Sequence, residues 1–273
     1  MGRKGMWEIL QYEFMRNALL AGLLASIACG IIGTLIVVKR IVFISGGVSH
    51  AAFGGVGLGY LIGIDPILGA LIFTIASALS MGTLCRRTKI REDTAIGIMW
   101  ATGMALGILF ISLRPGYAAD LFSYLFGSIL TVSRFDLLMT CILDVVVVVA
   151  VWLLYKEFLA ISFDEEFATV VGVPVERLYL TLLTLIALTV VILIRIVGVI
   201  LVIALLTVPA AISGEVSHKL DSMMILSTIL SAILTMSGLL LSYILNIASG
   251  ATIVLASAAA FAIFSTLKRL KTL

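Results

Sequence analysis

The chain has 273 residues, of which 62% are hydrophobic and only 12% charged, and its mean hydropathy is +1.25. Soluble domains carry about 45–50% apolar and about 25% charged residues, so this composition excludes a water-soluble globular fold and makes lipid the solvent. The net charge of +3 comes from basic residues scattered between apolar runs, which leaves no footprint for nucleic acid.

A membrane-crossing helix needs roughly 20 mostly apolar residues. The first such piece, 17–38, is too long for a signal-peptide core and no small-residue cleavage site follows it, so it reads as a retained helix. Cys29 lies near its middle, either as a small apolar filler or as a soft ligand. The second piece, 41–64, repeats small residues at every fourth position: Gly47, Ala51, Gly55, Gly59 and Gly63. Such a stripe lets helix backbones pack closely. His50 in the same piece stands about 15 Å along the helix from Arg40, near the middle of a ~30 Å hydrocarbon core. An ionisable residue at that depth is costly. It is either a neutral imidazole bonded to a neighbouring helix or part of a substrate path.

Pieces at 66–85 and 94–113 follow. The uncharged stretch 121–133 is too short to cross and suits a re-entrant or interfacial helix. Piece 135–155 contains Asp144 with no basic residue in helical reach. That carboxyl must be protonated, paired with another helix or turned to a polar cavity. The longest polar stretch, 156–177, carries Glu166, Ala168 and Gly172 at E-x-A-x-x-x-G spacing. Pieces 178–194 and 196–214 come next. Pro209 and Ala210, followed by Gly214, Glu215, His218, Lys219 and Asp221, predict a turn into a short cytoplasmic helix. The uncharged run 222–267 is too long for one helix and divides at 246–250 into pieces 222–246 and 248–267.

Lys and Arg orient these pieces. With the loops at 39–40, 86–93, 156–177 and 215–221 and the C-terminus in the cytoplasm, twelve of the 18 basic residues lie inside. This predicts nine spans with the N-terminus outside, against the preference of Arg3 and Lys4; an eight-span variant stays open. The sequence contains no Walker A pattern, no HExxH, no GxSxG and no CxxC, and its two histidines form no cluster.

Five ordered stretches then carry a resemblance: VSHAAFGGVGLGYLIGIDP (48–66), EDTAIGIMWATGMALGILFIS (92–112), DLFSYLFGSIL (120–130), VGVILVIALLTVPAA (197–211) and SGATIVLASAAAF (249–261). Over roughly 15–267 the chain resembles the permease subunits of ABC importers for zinc and manganese. The resemblance implies one all-α transmembrane domain over 1–273, a polytopic bundle of eight or nine spans in the cell membrane, similar to cobalamin and siderophore permeases. It implies a homodimer, two cytoplasmic ATPase subunits that hold the ATP, and an extracytoplasmic metal-binding protein. A divalent metal (zinc or manganese, with iron as a further candidate) is then cargo rather than a tightly bound cofactor. His50 is the first candidate for its path, with Asp144 and Cys29 behind it. By analogy with the cobalamin type, 210–221 is the main ATPase contact and 163–177 the second; Glu166, Ala168 and Gly172 resemble an ABC coupling loop. Many relatives place an aspartate four residues before the histidine, in a pattern like GDxLSHA, where this chain has Gly46. That departure keeps the metal open. A chelate or cobalamin-like cargo is the nearer alternative, and an ion-gradient-driven secondary transporter the more distant one.

Overall fold

In lipid, every backbone N–H and C=O has to be satisfied inside its own segment, which selects helices wherever the sequence is apolar. The computed structural model describes residues 11–88, 90–114, 127 and 129–271. Among these residues there is no strand. The helices are α1 (Glu13–Val38), α2 (Phe43–Ile62), α3 (Pro66–Arg87), α4 (Glu92–Ser112), α5 (Arg134–Leu153), α6 (Tyr155–Phe163), α7 (Glu165–Val170), α8 (Val175–Val216), α9 (Leu220–Leu245) and α10 (Ser249–Lys271). Of the short piece expected at 121–133, only 127 and 129–133 are described; Ile129–Thr131 forms a 3-10 turn.

Local chemistry sets several boundaries. Asp65 accepts a hydrogen bond from the Ile67 N–H at 2.8 Å, and Pro66 occupies the first position of α3, where its missing N–H costs nothing. Ser133 and Asp136 form a reciprocal capping box that starts α5. Gly63 closes α2 in the left-handed conformation (φ 78°), with open space around the position a Cβ would take. It is therefore a helix terminator, and the packing stripe expected through it ends at Gly59.

Among the described residues, seven helices are long and apolar enough to cross a bilayer: α1, α3, α4, α5, α8, α9 and α10. The 20-residue α2 is not among them, because glycines, serines and His50 dilute its hydropathy. The pieces expected at 178–194 and 196–214 form one helical element, α8, of 42 residues. At 1.5 Å per residue it would reach about 63 Å, twice the hydrocarbon core. It does not run straight. Gly198 has φ 79° and ψ 164°, a region essentially reserved for glycine.

Neighbours on either side of Gly198 establish a reversal. Before it, Tyr179 donates to Glu92 at 2.9 Å, and Arg195 reaches Asp136 at 2.8 Å. After it, a Cβ on Gly33 would stand 2.3 Å from the Leu206 carbonyl oxygen, and Glu215 pairs with Lys268. The element thus leaves the end marked by Lys39 and Arg86, turns at the end marked by Asp136 and returns. Helix α8 continues through Pro209 to Val216, so the turn and separate short helix expected after Pro209 do not form. Proline removes one N–H there, but Pro209 and Ala210 are buried between neighbours that hold the helix.

The outgoing and returning arms of α8 occupy the middle of the bundle with α1. Helix α1 packs on α5, α8 and α9, while α8 also packs on α2, α3, α9 and α10. Small residues permit these approaches: Gly22 faces Thr235 and Gly30 faces Thr228 of α9. The outer helices turn large apolar side chains outward, as Val145, Val148, Val149 and Trp152 do on α5. In lipid this outward surface carries no hydrophobic penalty.

Candidate functional site

The most extensive helix contact is between α2 and α4. It is a glycine seam. A Cβ on Gly57 would stand 2.6 Å from the Gly107 carbonyl oxygen, and one on Gly103 would stand 2.6 Å from the Ala51 Cα. The stripe seen in the sequence divides between two neighbours. Gly47 and Ala51 meet α4, whereas Gly55 and Gly59 meet α3 at Gly69, Ala70 and Pro66. Gly54 and Gly57, outside the four-residue stripe, complete the face toward α4.

At the edge of this seam lies the half-buried His50. Its ring stacks on the Trp100 indole, with centroids 4.3 Å apart and planes inclined by 16°. Its Nδ1 lies 3.2 Å from the Met104 Sδ. Trp100 and Met104 are four residues apart on α4, so both project onto the same stretch of α2. Gly46 makes the stack possible: a Cβ there would approach the Trp100 Cζ3 to 2.9 Å. The indole thus occupies the room that an acidic side chain at position 46 would need.

Asp144 and Cys29 lie elsewhere. Both are buried, between α5 and α1. Neither Asp144 oxygen meets hydrogen-bonding geometry, and its surroundings are the Ala28 backbone and the Cys29 thiol. α8 packs against both α1 and α2, and one chain does not bring Asp144 and Cys29 to His50. Among the described residues no group of three or more His, Cys, Asp or Glu is arranged to hold a metal ion. At the far end, Asp65, Asp136 and Arg195 border a cleft of about 360 Å³ between α3, α5 and α8.

The opposite end carries a charge network that the sequence does not reveal. Glu165, at the start of α7, accepts two hydrogen bonds from Arg86, at 2.6 and 3.1 Å, and a further one from Lys39. Lys39 also donates to the Ile161 carbonyl at 2.9 Å. The Arg86 guanidinium lies over the Tyr179 ring, 4.3 Å from its centroid. Burial alone would raise the Glu165 carboxyl, but the Arg86 and Lys39 hydrogen bonds hold it down to about 2, against an ordinary 4.5. The network fastens α7 to α1, α3 and α8.

Within 163–177, Ala168 is buried beneath α7 and Glu166 points to solvent. Gly172, at φ 90°, terminates the segment, with its N–H bonded to the Thr169 carbonyl at 3.0 Å. Phe163, Phe167 and Val170 are 76, 64 and 86% exposed on the same end of the protein. In the other expected contact segment, Pro209 and Ala210 are inside the bundle and Gly214 is half-covered against Met223. Glu215, Val216, His218, Lys219 and Asp221 are exposed there, and Glu215 is paired with Lys268. In the sequence, a W-x-x-x-M spacing is the sole trace of the Trp100–Met104 face, and nothing there names its partner helix.

Known proteins align with this architecture along almost its entire length. An uncharacterized membrane protein of Synechocystis is 52% identical over 266 residues, covering 97% of this chain and 95% of that protein. The manganese transport system membrane protein MntC of Listeria monocytogenes is 38% identical over 253 residues, covering 93% and 90%. Among solved structures, PsaBC from Streptococcus pneumoniae in complex with Fab superposes with a TM-score of 0.84 at 33% identity, covering 95% of this chain and 93% of that one. The model of the ABC 3 transport family matches residues 11–268, and the chain belongs to that family.

Proposed function

We propose that this chain is the membrane-spanning permease subunit of an ATP-driven importer of divalent metal ions, zinc or manganese, with ATP hydrolysis in a separate subunit. The observation that carries the reading is the family match over 11–268. The similarity to a membrane protein of a manganese transport system supports metal as the cargo. Two copies facing each other would form the pathway. His50 is only half-covered within one copy, which suits a position on a shared axis.

Nine passes fit the contacts best, with α2 and both arms of α8 crossing. Glycine-rich α2 crosses because α3, α4 and α8 shield it from lipid. The Lys39/Arg86 end is then cytoplasmic, by the excess of basic residues there. The extracytoplasmic cleft at Asp65 and Asp136 would receive metal from a binding protein. For the ATPase contact, the exposed apolar residues of α6 and α7 favour 163–177 over 210–221, reversing the order expected from the sequence.

The test is metal uptake by the chain reconstituted with its ATPase and binding protein in proteoliposomes. ATP-dependent accumulation of zinc or manganese is the expected result. Uptake driven by a proton gradient without ATP would overturn the reading. A His50→Ala variant should lose uptake and still assemble; full uptake would remove His50 from the pathway.

A further inference from the structure

We propose that Met104 is a second metal ligand beside His50, and that this nitrogen–sulfur pair makes the pathway select zinc over manganese. The inference rests on the permease reading and deepens it.

The ligand atoms are already in place. His50 Nδ1 and Met104 Sδ are 3.2 Å apart. With metal bonds of about 2.0–2.1 Å to nitrogen and, taking the zinc–thiolate length as the lower limit for a thioether, about 2.3 Å or more to sulfur, that separation subtends roughly 95° or less at a shared ion. A few tenths of an ångström of adjustment would bring the angle to a tetrahedral one. The imidazole has little freedom to turn away, because Trp100 stacks on its face. The thioether lies beside the ring nitrogen, and in the neutral tautomer that carries its proton on Nε2 the Nδ1 lone pair is free to bind a cation.

Donor chemistry decides the ion. Carboxylate and carbonyl oxygens suit manganese, whereas imidazole and thioether suit zinc and softer ions. Position 46 supplies no carboxylate, and the Trp100 indole fills the space beside it. Among the described residues His50 belongs to no group of three or more His, Cys, Asp or Glu side chains. Two copies in a homodimer would together offer two imidazole nitrogens and two thioether sulfurs, matching the four-coordination of zinc, with donors on the soft side of the scale.

The test is competitive uptake of zinc and manganese by the reconstituted complex, comparing wild type with Met104→Leu and Met104→Cys. Leucine keeps the apolar volume, and cysteine keeps a sulfur donor. Wild type should favour zinc. Met104→Leu should lower the zinc-to-manganese ratio by about tenfold or more, the scale on which even a residue behind a metal ligand changes affinity. Met104→Cys should keep the zinc preference. An unchanged ratio in Met104→Leu, or equal loss in both variants, would overturn the role of Met104 and leave the permease reading standing. Wild type that transports neither metal would overturn both.

Discussion

Replacing Glu165 with glutamine keeps the volume of the side chain and removes the anion that Lys39 and Arg86 share in the α7 network. The carboxyl sits near 2 instead of 4.5, and each tenfold change in proton affinity corresponds to about 1.4 kcal/mol. That sets an upper bound of about 3.5 kcal/mol at neutral pH. The side chain is 31% exposed, so solvent screening reduces the figure to about 2 kcal/mol. Lys39, whose side chain is only 9% exposed, would be left without its counter-charge. In a chain of this size 1 kcal/mol moves the unfolding midpoint by about 2–4 °C, so Glu165→Gln should unfold about 4–8 °C below wild type. Thermal unfolding in detergent, followed by tryptophan fluorescence, measures this. The sign with pH follows from a lowered carboxyl. Its stabilisation is complete above about pH 4.5 and is lost as the pH falls toward 2. The gap between wild type and variant should therefore be constant near neutrality and narrow below about pH 4.5. Coincident midpoints at pH 7, or a gap that widens in acid, would refute the assigned role of the network.

Gly198→Ala should destabilise the protein by about 1–3 kcal/mol, because φ 79° and ψ 164° exclude a side chain, and the same unfolding assay reads it. Phe163→Ser combined with Phe167→Ser should reduce co-purification of the ATPase subunit, whereas exchanging the charges of Glu215 and Lys219 should leave it nearly intact. The opposite pattern would return the coupling surface to 210–221.

The membrane character, the helical class and most helix positions are legible in the sequence because they depend on runs of apolar residues interrupted by charge. The resemblance to ABC metal permeases is legible in five short blocks and corresponds to the family match over 11–268. The reversal at Gly198 is not: Arg195 is the visible charge, while the backbone angles at a glycine three residues later leave no trace in composition. Pro209 misleads in the other direction, since a proline reads as a helix end unless tertiary packing holds the helix through it. The site is half legible. His50 stands out by depth, and Gly46 by the residue it replaces. Trp100 and Met104 stay hidden because an apolar aromatic and a thioether in a membrane helix look like ordinary lipid-facing or packing residues. Glu165 is lost among four acidic residues between 157 and 166, where only the fold reveals which one turns inward.

The reversal at Gly198 makes α8 a lever with both handles on one side. Tyr179, on the outgoing arm, touches the Arg86 network, and Glu215, on the returning arm, touches α10. The fulcrum lies at the far end, where the backbone of 197–198 presses on Gly127: a Cβ on Gly127 would come within 2.2 Å of the Gly198 nitrogen. Both ends of α8 therefore lie on the face that carries α7, and its one reversal lies on the opposite face, so the two arms share the full thickness of the bundle.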